Sequence, residues 1–366
     1  MNRIDRYVLR AVLGGVLLVM TVLLSLGALF VLLGQQDDIG VGTYTVWKAL
    51  AFVGLNLPQQ VWEMLPISAL IGSLLGLGTL ARGSELTVMR AAGLSVWQIG
   101  RGVVLAGLLL LAFGVAVGEW LAPPMQQLGR EVKAFAKFSN VSFAGSGDAW
   151  VRDGDLIVNV ERQTGDSQFG GMMVYELGAD NRLQSMGRAA TAREVAAVGK
   201  TGGERRASSA WRLEQYAETR FDGDRSIASS SAGRTLESNV GADFLGIAAT
   251  IPGQLPSTAL WRMIRHLKTN GLDSREPVFA FHSRIARTVA VLFAVLLALP
   301  FVFGSMRSAG AGARIGLGLL LGIVFFLLQQ MIESGAIVYG GDPAFFAWLP
   351  TLLMATAATV LIARTR

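Results

Sequence analysis

AVLGGVLLVMTVLLSLGALFVLLGQQ, residues 11–36, runs for 26 residues without one Asp, Glu, Lys or Arg. A hydrocarbon core about 30 Å thick takes roughly 20 apolar helical residues to cross, so this run is long enough to span a bilayer. Five further charge-free runs do the same once helix ends and tilt are allowed for, at 64–81, 102–118, 288–306, 315–332 and 343–363. Three lie on each side of a long polar insert. The chain therefore reads as a polytopic α-helical membrane protein with six transmembrane helices arranged 3+3 around that insert. The first run has the basic start of a signal peptide, but it is too long, lacks a small-residue cleavage site and is followed by five more spans, so it is expected to stay on the protein.

Arginine placement sets the orientation, because short loops rich in Lys and Arg are held on the cytoplasmic side. With the N-terminus inside, Arg3, Arg6, Arg10, Arg82, Arg90, Arg101, Arg307, Arg314, Arg364 and Arg366 are cytoplasmic, against Lys48 alone in the short outer loops. Both termini are expected inside, and residues about 123–285 outside the inner membrane. The same distribution accounts for the net charge of +6 and the pI near 10.0. The excess sits on inner arginines and on a basic segment before the fourth span, so the charge does not point to nucleic acid. The absence of cysteine excludes a disulfide framework, a thiol nucleophile and an iron–sulfur site.

The insert changes character as a domain entering water should. Between Arg130 and Asp243 there are 15 basic and 16 acidic residues. Leu156, Val158 and Val160 alternate with Asn159 and Glu161, and Trp211 and Leu213 alternate with Arg212 and Glu214, the period of half-buried strands. Asp153-Gly154 and Asp222-Gly223 suit tight hairpins, and Gly178 to Asn181 separates two further runs. These signals predict an inserted antiparallel β domain, jelly-roll-like or a sandwich, over 123–260, between a first membrane part at 1–122 and a last part at 261–366. Gly199 to Ser209, rich in Gly, Ser and charge, reads as a loop. From Ser257 the period turns helical through Leu260, Ile264 and Leu267, ends at Gly271, and resumes near Pro277 into the fourth span. Arg262, Arg265, Lys268, Arg275, Arg284 and Arg287 make this segment a basic collar.

The most informative polar segment is the inner loop between spans two and three. Ser84 suits a helix N-cap, Glu85 the positive end of the helix dipole and Gly93 a C-terminal cap, so about two turns of helix are predicted over 84–95. Leu86, Met89 and Leu94 give it an apolar side. That side would be buried by the groove of a cytosolic partner or by lipid headgroups, two readings that pattern alone leaves equal.

The segment Ser84-Glu85-Leu86-Thr87-Val88-Met89-Arg90-Ala91-Ala92-Gly93-Leu94-Ser95 resembles the coupling-helix motif of the LptF/LptG permeases, which export lipopolysaccharide from the inner membrane of Gram-negative bacteria. Gly118-Glu119-Trp120-Leu121-Ala122-Pro123, Arg182-Leu183-Gln184-Ser185 with Ala189-Ala190-Thr191-Ala192, and Val338-Tyr339-Gly340 resemble the LptG branch of that family. The similarity runs in order along essentially the whole chain. It implies an ABC transporter permease subunit that takes lipopolysaccharide from the outer leaflet of the inner membrane and drives it toward the outer membrane. Its implied partners are a dimer of an LptB-like cytosolic ATPase, a paralogous LptF-like permease and an LptC-like membrane-anchored periplasmic bridge protein.

In that resemblance Ser84, Glu85, Leu86, Met89, Arg90 and Gly93 form the ATPase contact, with Glu85 as the coupling acid. Spans one and five are implied as lateral gates, where Gly316, Gly318 and Gly322 suit adjustable packing. The family carries basic residues for lipid phosphate near the outer end of span one, where this chain has Val31 and Asp37-Asp38. Arg284 is the substitute that the collar offers, and Val31, Glu119 and Arg284 make the candidate lipid-contacting set; Arg284 fits equally a snorkelling anchor. Glu63 and Glu333, at the ends of spans two and five, read as solvated helix-end acids.

The chain carries no phosphate-binding loop. Gly199-Lys200-Thr201 imitates the end of one, but Glu194 stands where the first glycine belongs. No catalytic residue, metal site or bound cofactor is expected, and ATP and Mg would be used by the partner ATPase. A lipid-modifying membrane enzyme is the rival reading, and its difficulty is that His266 and His282 have neither a triad nor a metal-site pattern around them. A membrane sensor with an outer β domain would need an inner output domain, for which the inner loops are too short.

Overall fold

The computed structural model describes residues 2–137, 149–165, 168–178, 182–196, 209–222, 225–238, 252–303, 311–336 and 341–364. The first helices are α1 (Arg3–Leu33), α2 (Val46–Arg82), α3 (Glu85–Ala91), α4 (Val96–Ala116) and α5 (Ala122–Lys137), with a π-helical turn at Val117–Leu121 joining the last two. After the strands come α6 (Ser257–Thr269), α7 (Arg275–Phe303), α8 (Ala311–Ala336) and α9 (Pro343–Arg364). The chain divides into two compact units. One comprises Met1–Gln36, Val53–Gln126 and Arg275–Arg366; the other comprises Asp37–Phe52 and Gln127–Ser274.

Five helical runs are long and apolar enough to cross a membrane: Arg3–Asp38, Val46–Arg82, Trp97–Lys133, Arg275–Phe303 and Pro343–Arg364. The remaining expected span, 315–332, falls on α8, whose apolar portion Leu320–Ile332 is shorter. Within the helical unit α2 is the centre, with 72% of its apolar window buried against 22% for α1. Val8, Val12 and Val16, one helical turn apart on α1, pack with Leu70, Leu74 and Leu77 of α2, Val103 and Ala106 of α4, and Ala290, Ala294 and Ala298 of α7.

Glycine lets α1 and α2 touch backbone to backbone. A Cβ on Gly15 would lie 2.2 Å from the Gly72 carbonyl oxygen, and one on Gly76 2.2 Å from that of Ala11. No real contact is that short, so the close crossing depends on these glycines, as small residues allow between helices in lipid. The glycines singled out in span five behave differently. Gly316 has open space beside it, and a Cβ on Gly322 would meet side chains alone, Ile67 at 3.1 Å and Ile71 at 3.9 Å.

In the second unit, β1 (Ala149–Asp153), β2 (Leu156–Gly165), β3 (Gln168–Leu177), β4 (Leu183–Ala196), β5 (Ser209–Asp222) and β6 (Arg225–Ser238) form one antiparallel sheet in sequence order. Every sheet neighbour is thus also a neighbour in sequence, an up-and-down meander. The Asp153-Gly154 hairpin forms with Gly154 at φ +62°. Val158, Val160, Trp211 and Leu213 are buried on one face, as the alternation predicts, and Arg212 and Glu214 are exposed. Asn159, on the opposite face, is nevertheless only 3% exposed, because Trp150 and Met173 stand beside it in register. The predicted loop at 199–209 and the turn residues 179–181 and 223–224 lie outside the described residues, except Ser209 at the start of β5.

Tyr216 fills the space over Gly187, where even a Cβ would overlap its ring, and Arg234 lies 5.3 Å from the ring centre while pairing with Glu176 and Glu218. Burial pushes the Tyr216 hydroxyl above its usual pKa, opposed by the Arg234 charge. The same unit ties the segment before α2 to the end of α5: Thr43 N–H donates to the Ala136 carbonyl at 2.6 Å, and Lys133 pairs with Asp38 at 2.6 Å.

Candidate functional site

The predicted inner helix is present as α3, and its end is the one its glycine foretells. Gly93 takes φ +88°, its N–H donates to the Arg90 carbonyl at 3.0 Å, and the Leu94 N–H donates to Met89 at 3.1 Å. This double bond is a Schellman motif, which needs a left-handed residue after the cap. The start is different from the expectation. Ser84 occupies the N-cap position but at φ +58°, and its hydroxyl makes no capping hydrogen bond. Its carbonyl accepts from Val88 N–H at 2.9 Å, so Ser84 serves as a sharp left-handed turn out of α2.

The apolar side of α3 is already satisfied by the chain itself. Leu86 is 3% exposed within the main core, with Met89 and Leu94 packed partly against it. What α3 leaves outward is Thr87, Val88, Arg90 and Ala91, with Val88 65% exposed. Beside it lies a groove of about 670 Å³ between α3 and the end of α7, lined by Ser84, Thr87 and Arg90 on one side and by Val302 and Phe303 on the other. The outward apolar residue is therefore Val88, which the reading of the repeat, resting on Leu86, Met89 and Leu94, did not single out.

Glu85 is half-buried and is held by a residue that the sequence did not signal. The Tyr7 hydroxyl, in the first turns of α1, donates to Glu85 Oε2 at 2.6 Å. The other oxygen, Oε1, rests 3.1 Å from where a Cβ on Gly83 would stand. Tyr7 could have been noticed only as an isolated aromatic in the basic start of the chain.

A second polar cluster lies where α4 passes into α5. Arg284 of α7 is 4% exposed; its Nε donates to Glu119 Oε1 at 2.7 Å and its Nη2 to the Gly118 carbonyl. The π-helical turn at Val117–Leu121 contains both acceptors, and such a turn leaves a carbonyl outside the regular ladder. The Trp62 ring of α2 sits under two guanidinium groups, with Arg284 4.7 Å and Arg287 4.9 Å from its centre. Gly118 makes room for it, since a Cβ there would come within 2.6 Å of the indole. Trp62 Nε1 donates to Thr288 at 3.4 Å, which bonds back to the Arg284 carbonyl at 3.0 Å.

Of the candidate lipid-contacting residues, Arg284 and Glu119 are thus brought together, and a lipid phosphate would reach Arg284 only by displacing the carboxylate. Val31 stands apart from them near the end of α1, half-buried. Glu63 is exposed and accepts from Gln59 at 2.6 Å. Of the two histidines, His266 meets the Arg152 carbonyl at 3.0 Å and His282 accepts from Trp348 at 3.4 Å. Among the described residues no three His, Cys, Asp or Glu side chains gather into a metal-ligand group.

Comparison with known proteins places this geometry in context. The family model described as lipopolysaccharide export system permease LptF/LptG matches residues 6–364. The chain is 31% identical over 365 residues to the lipopolysaccharide export system permease protein LptG of Haemophilus influenzae, covering 100% of this chain and 99% of that protein. It is 32% identical over 349 residues to LptG of Escherichia coli K12, covering 95% and 94%. Similarity to LptF of E. coli K12 is lower, 24% identity over 366 residues, covering 98% and 94%.

Proposed function

The chain belongs to the LptF/LptG family of lipopolysaccharide export permeases, and we propose that it is the subunit through which a separate cytosolic ATPase dimer drives lipopolysaccharide out of the outer leaflet of the inner membrane. It is a permease subunit of a lipopolysaccharide export system and a multi-pass membrane protein. In this reading α8 completes a set of six spans, both termini are cytoplasmic, and the β unit lies in the periplasm as part of a jelly-roll-like domain. An LptF-like permease stands beside it and an LptC-like bridge protein receives the lipid. ATP and Mg are bound by the ATPase.

The observation that carries the proposal is the build of α3. Leu86 anchors it in the membrane core while Thr87, Val88 and Arg90 face outward beside a groove. A short helix rooted in this way passes part of any shift to the core that holds it. This is what a permease without a nucleotide site needs in order to receive movement from another chain.

The test is a charge on the outward face. Val88→Asp should leave insertion and folding unchanged and reduce ATPase co-purification at least tenfold, since a buried interface charge without a partner costs about 2 kcal/mol or more. Full retention of the ATPase by that variant, and of lipid export by Glu85→Lys, would remove α3 from the coupling role.

A further inference from the structure

The link between α2 and α3 is a weak place to transmit force. Only Gly83 and Ser84 lie between the two helices, and Ser84 is one of two described non-glycine residues with positive φ. A glycine beside a left-handed residue is a swivel, so a push on α3 from below could be absorbed there. A second tie closes the gap from 78 residues away, where the Tyr7 hydroxyl donates to Glu85 Oε2 at 2.6 Å. That length is typical of a hydroxyl donating to a carboxylate, roughly 2.5–2.7 Å.

The helix end that carries Tyr7 is itself fixed. Val8 is fully buried, and Gly102 of α4 approaches so closely that a Cβ would lie 2.9 Å from both Val8 Cβ and the Asp5 carbonyl. One turn further along, Ala11 and Gly15 meet Gly76 and Gly72 of α2 at backbone distance. Taken over its apolar window, α1 is the least buried of the candidate spans. Glu85 is therefore bonded to the anchored end of the least buried candidate span.

We propose that Tyr7 is a positioning residue that locks α3 to the inner end of α1, so that displacement of α3 is delivered to α1 instead of being taken up by the Gly83–Ser84 turn. The inference rests on the transport reading above and adds to it the route by which α3 acts on the membrane unit. Glu85 then serves two neighbours at once: one oxygen holds Tyr7, and the other is left for the ATPase side.

The experiment uses the full chain in its purified complex, reconstituted in liposomes containing lipopolysaccharide, with lipid release and ATP hydrolysis measured together. Tyr7→Phe keeps the ring and removes the hydroxyl. ATP hydrolysis should stay within about twofold, while lipid released per ATP falls roughly threefold to tenfold, the scale of one hydrogen bond to a charged group at a partly exposed site. An unchanged ratio would overturn the proposal. So would a complex that fails to assemble, or one that loses hydrolysis and release in proportion, because either result assigns Tyr7 to folding. If the unsubstituted complex released no lipid on ATP addition, the transport reading would fail first and carry this proposal with it.

Discussion

Arg284 shows how one buried side chain can hold several spans together. Its guanidinium is shared among Glu119, the Gly118 carbonyl and the face of Trp62, so α2, α7 and the π-helical turn after α4 all contribute to its environment. Removing one member of such a pair leaves the other charge uncompensated. Arg284→Met should therefore lower the stability of the solubilised protein by about 2–3 kcal/mol, less than for a fully buried pair because Glu119 keeps some contact with solvent. Combining it with Glu119→Leu should recover much of that loss, since replacing both charges by apolar groups is often near neutral. The check is thermal unfolding in detergent, and a double variant no more stable than Arg284→Met would show that the pair is not the source. The role of Arg284 was only half legible in the sequence: its place in the basic collar was clear. Its partner 165 positions earlier was not, because nothing in a linear pattern brings Glu119 to it.

At the scale of elements, the contact between α1 and α2 makes a sharp prediction from two adjacent glycines. Gly15 faces the Gly72 carbonyl, and Gly14 has open space. Gly14→Ala should be neutral or stabilising by up to about 1 kcal/mol through helix propensity, whereas Gly15→Ala should cost roughly 2–3 kcal/mol by forcing the helices apart. Equal melting temperatures for the two variants would refute the close crossing. Five of the six expected spans were legible because charge-free runs report length directly, as were the alternating strands and the Gly93 and Gly271 caps, where local chemistry decides. The tight helix crossing was not legible. Glycines are frequent in all these runs, and the sequence cannot say which of them face another backbone; those of span five drew notice while Gly15, Gly72 and Gly76 make the contact. The same limit explains Val88, whose exposure follows from Leu86 entering the core rather than from its own position in the repeat.

For the whole molecule, the lack of cysteine offers a clean topology test. Ser229→Cys, exposed on β6, should react with a membrane-impermeant thiol reagent applied to intact inner-membrane-derived spheroplasts, and Thr87→Cys on α3 should react only after the membrane is opened. The reverse labelling would invert the orientation drawn from the arginines. The two units follow different rules because their solvents differ: the helical unit is held by small-residue crossings and the Arg284–Glu119 pair, the β unit by an alternating apolar face and the Tyr216–Arg234 cluster. In the proposed reading, coupling between a partner ATPase and lipid within the membrane enters through α3. The most direct measurement is lipopolysaccharide release from proteoliposomes that hold the purified complex of this chain, with and without ATP, for the natural sequence and for Glu85→Lys. The account predicts release that requires ATP and is lost in Glu85→Lys while the variant remains folded and inserted. Release without ATP, or undiminished release from Glu85→Lys, would contradict it.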